Sequence, residues 1–146
     1  MAVKATPDGY NSVQPYLLAN GAAKLVDFIT AAFGATERMR MSGPDGKIGH
    51  TEVELGNSVI MIADAMEGFA PTQSMIQVYV DDVDATYKKA LAAGATSQQE
   101  PSDQFYGDRV ANVVDPLGNR WSIHTHVEDV PPEEMEKRAA AAMAQS

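Results

Sequence analysis

The tripeptide Gly34-Ala35-Thr36 returns 60 residues later as Gly94-Ala95-Thr96, and Leu55-Gly56-Asn57 returns 62 residues later as Leu117-Gly118-Asn119. Similar elements surround both copies in the same order, so the chain reads as two versions of one supersecondary unit. Asn20 reads as an N-cap, after which Leu25, Phe28, Ile29, Ala32 and Phe33 recur at helical spacing until Gly34. In the second copy Asp81 or Asp82 caps, Val83, Tyr87, Ala90 and Leu91 form the stripe, and Gly94 ends it. The branched and aromatic segments Val13–Ala19 and Met75–Val80 precede the two helices and read as strands.

Three strands follow each helix. In the first copy they are Thr36–Met41, Lys47–Leu55 and Ser58–Asp64, punctuated by Gly43-Pro44-Asp45-Gly46 and Gly56-Asn57. In the second they are Ser97–Glu100, Arg109–Val114 and Arg120–Thr125, the last two separated by Asp115-Pro116-Leu117-Gly118-Asn119. The expected architecture is α+β: an N-terminal extension over 1–9, a βαβββ module over 10–66, a linker over 67–73, a second module over 74–126 and a tail over 127–146. Glu133-Glu134 after Pro132, and the alanines from 139 to 142, favour a helix in that tail.

Eleven Lys and Arg against 20 Asp and Glu leave a net charge of −9, which argues against nucleic acid or an anionic membrane as partner. No cysteine is present, so thiolate chemistry and disulfides are excluded and any metal must be held by imidazole, carboxylate, amide or water. The segment Met1–Asn11 carries no apolar run of signal-peptide length, and the expected location is the cytoplasm.

Several segments together resemble the vicinal oxygen chelate superfamily of glyoxalase I, extradiol dioxygenases, fosfomycin-resistance enzymes and bleomycin-binding proteins, and more narrowly its PhnB-like branch. They are Gln14-Pro15-Tyr16-Leu17, Ile48-Gly49-His50-Thr51-Glu52, Ser58-Val59-Ile60-Met61, Tyr79-Val80-Asp81-Asp82-Val83-Asp84, Phe105-Tyr106-Gly107-Asp108-Arg109 and Asp115-Pro116-Leu117-Gly118-Asn119-Arg120-Trp121. The resemblance implies two incomplete barrels around a shared cleft, and a divalent ion held by the first and last strands of each module. Carried over by spacing, those ligand positions fall on Gln14, Met61 (or Ile60), Met75 and Ser122. Only Gln14 is an acceptable ligand, since a thioether is soft and a serine hydroxyl poor at neutral pH. The expectation is therefore a small-molecule binding protein with no metal cofactor, and a homodimer as in the superfamily.

Strand alternation sends Gln14, Tyr16 and Leu18, then Met75, Gln77 and Tyr79, then Ser122, His124 and His126 to the cleft, where they suit a flat or apolar organic ligand. The alternative is that the methionines meet as core. Phe105, Tyr106 and Arg109 read as a loop over the cleft mouth, with Arg109 holding an anionic group, or else as a turn in which Asp108 and Arg109 pair. Trp121 alternates away from Ser122 and reads as core.

The chain has three histidines. A displaced metal site from Gln14, His50, Glu52 and His124 would make the protein a lyase, isomerase or dioxygenase of the same superfamily. A cleft filled by its own side chains would make it a structural module. A serine–histidine–acid arrangement is not recognisable from order alone, and none is assigned.

Overall fold

A left-handed glycine follows each of the two helices of a duplicated unit. The computed structural model describes residues 2–145. The first module runs β1 (Tyr16–Ala19), α1 (Ala22–Phe33), β2 (Thr36–Ser42), β3 (Ile48–Leu55) and β4 (Ser58–Asp64). The second runs β5 (Met75–Tyr79), α2 (Val83–Ala92), β6 (Thr96–Asp103), β7 (Asp108–Val114) and β8 (Arg120–His126), followed by α3 (Pro132–Ala144). Gly34 and Gly94 follow α1 and α2 with φ of 70° and 107°, a left-handed turn that glycine adopts without strain.

Each module is a mixed four-stranded sheet, ordered β1-β4-β3-β2 and β5-β8-β7-β6. The first strand pairs parallel with the last, Tyr16 opposite Met61 and Met75 opposite Arg120, at the same sequence separation in both modules. The remaining pairs are antiparallel. Neither sheet closes into a barrel.

Helices α1 and α2 pack against each other, and no strand of one sheet packs on a strand of the other. The core lies in this helix layer. Leu25, Val26, Phe28, Ile29 and Ala32 of α1 are buried together with Leu17, Ile60 and Ile62 of the first sheet and Val113, Trp121 and Ile123 of the second. Trp121 is fully buried, as its alternation requires, with its ring 4.8 Å from Phe33 and its indole N–H donating to Asp115 at 2.8 Å. The opposite face of each sheet carries no helix and lies outward.

Four local expectations are corrected. The N-cap of α1 is Gly21, not Asn20. The Asp64 carboxylate, at the end of β4, supplies the capping acceptor for the Gly21 and Ala22 N–H groups at 3.1 and 2.9 Å, and for Ile48 at 2.7 Å. Burial alone would raise the Asp64 pKa, but these backbone donors outweigh it and hold it low. Second, β1 begins at Tyr16 because Pro15 has no N–H for the ladder, although its carbonyl accepts from Met61 at 2.9 Å. Third, β6 extends to Asp103, with irregularities in its pairing to β7 that its polar sequence did not signal. Fourth, the second helix ends with Ala93 as its cap, one residue before Gly94.

The linker and tail are fastened. Thr72 exchanges two hydrogen bonds with the Leu18 backbone at the outer edge of β1, and Met66 bridges Phe69. Helix α3 buries none of its residues. It is held by Arg138, which binds Glu128 at 2.8 and 3.0 Å and the Phe105 carbonyl at 3.1 Å. Among the described residues no helix is long and apolar enough to cross a membrane.

Candidate functional site

The outward face of each sheet carries a carboxylate that orients a histidine. In the first module Glu52 is buried at the middle of β3. It accepts from Tyr10 Oη at 2.6 Å and from Arg38 at 3.0 and 3.1 Å, and it lies 2.9 Å from His50 Nε2. Burial would push its pKa up, but the hydrogen bonds from Tyr10, His50 and Arg38 outweigh it and keep the carboxyl ionised. A carboxylate only accepts, so His50 donates through Nε2 and its Nδ1 is left to accept the Tyr16 hydroxyl at 2.9 Å. Arg38 also stacks 4.5 Å from the Tyr10 ring.

In the second module the carboxylate is Asp108, buried at the start of β7. It accepts from Tyr79 Oη at 2.8 Å, His124 Nδ1 at 2.9 Å and His126 Nδ1 at 2.8 Å. Burial again favours the neutral acid and is outweighed by His126, His124 and Tyr79, so the Asp108 pKa is lowered. With His124 Nδ1 donating to Asp108, its Nε2 accepts the Ser122 hydroxyl at 2.8 Å. Hydrogen bonding to Asp108 raises the Tyr79 phenol, and burial raises that of Tyr106. The Tyr79 and Tyr106 rings lie 5.4 and 6.5 Å from the His124 ring.

The structure gathers many of the residues singled out by alternation. Tyr16 and Met61 are register partners on the first face, while Gln77 pairs with Ser122 and Tyr79 with His124 on the second. Met75 is 71% exposed and Tyr79 58%, whereas Val78 between them is 7% exposed and packs on the helix layer. Gln14, just before β1, has its side-chain oxygen occupied by the Asn11 N–H at 2.7 Å. Phe105 meets Tyr106 edge-on at 5.3 Å, which brings the loop beside His124.

Arg109 is not part of this group. It makes a bidentate pair with Asp84 of α2 at 2.8 and 3.0 Å and a further bond to Asp103, all on the helix side of the sheet. Of the displaced set, His50 and Glu52 meet, while His124 belongs to the other module. Among the described residues no group of three or more His, Asp or Glu side chains is disposed to hold a metal. His126, at the end of β8, is half exposed and bonded to Asp108 and Asp129.

Sequence reasoning missed Asp108, Tyr10, Arg38, Met66 and Phe69. The last two, 60% and 59% exposed, join Tyr16, Leu18 and Ala63 around a groove of about 490 Å³ on the first face. The register of the β7–β8 hairpin was the signal for Asp108: a tight turn over 115–119 places Asp108 opposite His126.

The family model of the Glyoxalase/Bleomycin resistance protein/Dioxygenase superfamily matches residues 10–123, and the chain belongs to that superfamily. An uncharacterized protein of Mycobacterium bovis is 34% identical over 93% of this chain and 94% of its own length. Among solved structures, TioX from Micromonospora sp. ML1 matches with a TM-score of 0.67 at 25% identity, covering 80% of this chain and 100% of TioX. A putative 3-demethylubiquinone-9 3-methyltransferase, PhnB protein, from Bacillus cereus matches with a TM-score of 0.65 over 79% of this chain and 99% of its own. At 14% identity that likeness shows the fold alone.

Proposed function

We propose that the chain is a small-molecule binding protein that acts as a homodimer, the outward face of module 1 closing over the outward face of module 2 of a second copy. The observation that carries this reading is the exposure of Met75 and Tyr79, at 71% and 58%, along the strand paired with β8, where Tyr79 stands opposite the buried His124. Apolar surface concentrated beside buried polar groups suits a ligand or partner more than bulk water. With the helix layer already filled, a second copy is the available cover, and two-fold exchange satisfies both faces at once. The ligand is flat and mainly apolar, stacked among Tyr16, Tyr79, Tyr106 and Phe105, with Gln77 for orientation.

The donor set supports binding without the superfamily's usual metal. Of the four carried-over positions, Met61 and Met75 offer only soft thioethers, the Ser122 hydroxyl, which donates to His124, is a poor ligand while protonated, and the Gln14 oxygen already accepts from the Asn11 N–H. Glu52 already has Arg38 as its counter-charge. These residues do not fit a hard divalent ion, and no step is assigned to one.

Binding is tested with the neutral fluorophore N-phenyl-1-naphthylamine. Saturable fluorescence enhancement, reduced at least about tenfold in affinity by Tyr79→Ala, is the expected result. Enhancement that is absent, or unchanged in that variant, rejects the proposed pocket.

A further inference from the structure

The second face holds a constellation that ligand binding does not require. Ser122 Oγ lies 2.8 Å from His124 Nε2, and His124 Nδ1 lies 2.9 Å from Asp108 Oδ2. All three residues are buried to at least nine-tenths, at 7%, 5% and 4% exposure. Asp108 is fixed from two further directions by Tyr79 and His126, so the imidazole has one tautomer and one orientation. Gln77 stands opposite Ser122 in the β5–β8 register, and its exposed carboxamide is on the same face.

We propose that Ser122 is an acylatable nucleophile, with His124 as its general base, Asp108 as the positioning residue and the Gln77 amide as donor to the developing oxyanion. A hydroxyl is a weak nucleophile until a base within hydrogen-bond reach takes its proton, and here base and orienter are in line. A side-chain amide beside the nucleophile is a known kind of oxyanion donor. Because Gln77, opposite Ser122, is flanked on the same face by the exposed Met75 and Tyr79, the substrate class is a small ester of an apolar or aromatic acid.

The chemistry balances without a co-reactant other than water. Ser122 Oγ forms a bond to the ester carbonyl carbon as His124 Nε2 accepts the hydroxyl proton. The carbonyl–alkoxy bond then breaks, and His124 returns the proton to the departing alcohol. Water, deprotonated by His124, adds to the acyl-serine; collapse releases the carboxylic acid and restores the serine. The relay lies within module 2 of one chain, so it stands whether or not the pairing proposed above is correct.

The experiment is covalent labelling of the full chain with diisopropyl fluorophosphate, which loses fluoride as the serine oxygen–phosphorus bond forms, read by intact mass and peptide mapping. One adduct at Ser122 is expected, absent in Ser122→Ala and slowed at least about a hundredfold in His124→Gln and Gln77→Leu. In Asp108→Asn the same slowing is expected together with a displaced pH–rate midpoint, which a purely structural role would not produce. Because the chain has no cysteine, Ser122→Cys adds a single thiol, and its iodoacetamide alkylation should be faster with His124 present than in the double variant with His124→Gln. No wild-type adduct, an adduct that survives Ser122→Ala, or alkylation indifferent to His124 would each overturn the assignment.

Discussion

His126 Nδ1 donates to Asp108 at 2.8 Å from the half-exposed end of β8, while its other ring nitrogen meets Asp129 at 2.7 Å. One imidazole thus joins a buried carboxylate to the segment leading into α3. Asp108 first, then Asp129, raises the His126 pKa above 6.5. A raised histidine pKa gives stabilisation that is complete below the unfolded value and lost as pH rises through the folded value. Asp108 itself is lowered from 3.8, so its contribution is present above that value and lost as pH falls through the lowered one. The melting temperature is expected to decline on the alkaline side of the histidine range, and His126→Asn should remove that limb. A wild-type and variant pair with parallel pH profiles would contradict the coupling.

Met75 tests the proposed pairing with little effect on the chain itself. Because its side chain is mostly exposed, Met75→Glu should change monomer stability by no more than about 0.5 kcal/mol while placing a charge in the apolar interface. Analytical ultracentrifugation is expected to show a dimer for the wild type and a 15.6 kDa monomer for the variant. A wild-type monomer unaffected by concentration would reject the dimer.

Gly107 and Gly34 both have positive φ, yet they should respond differently to alanine. At Gly107 an added Cβ would lie 2.2 Å from the Glu128 carbonyl oxygen, whereas at Gly34 nothing lies within 4 Å. Gly34→Ala should cost about 1 kcal/mol, the left-handed penalty alone. Gly107→Ala must also displace backbone and should cost at least about 2 kcal/mol. Urea denaturation of the two variants measures the difference, and hydrogen exchange should show α3 loosened only in the second.

Trp121 is the largest fully buried side chain, so Trp121→Ala should destabilise by about 3–5 kcal/mol. Trp121→Phe, which keeps the ring contact but leaves Asp115 without its indole donor, should fall between that and the wild type. Equilibrium unfolding followed by circular dichroism decides the order.

The fold was readable because duplication prints its own evidence: Gly34 and Gly94, and the Leu-Gly-Asn turns, mark corresponding ends of corresponding elements. Alternation placed Met75, Gln77 and Tyr79 opposite Ile76 and Val78 for the same reason, since strand period is a local property. What escaped was contact at a distance. Asp64 caps a helix more than 40 residues away in sequence, and nothing near Asn20 signals it. Asp108 looked like a turn partner for its neighbour Arg109, but adjacent residues of a strand face opposite ways, so Asp108 serves the histidines and Arg109 serves Asp84 of α2. Tyr10 lies in the segment ahead of β1 and Arg38 in the polar strand β2, and they converge on Glu52 only after β2 and β3 pair.

The packing of Trp121 on Phe28 and Phe33 means that the last strand of the second copy completes the core of the first. Neither half is therefore an independent inheritance of the duplication. Cleavage in the linker over 67–73 would sever the chain but leave this aromatic contact as a seam, so the two pieces should remain associated until denaturant separates them. The indole would then report reassembly by a single change in emission.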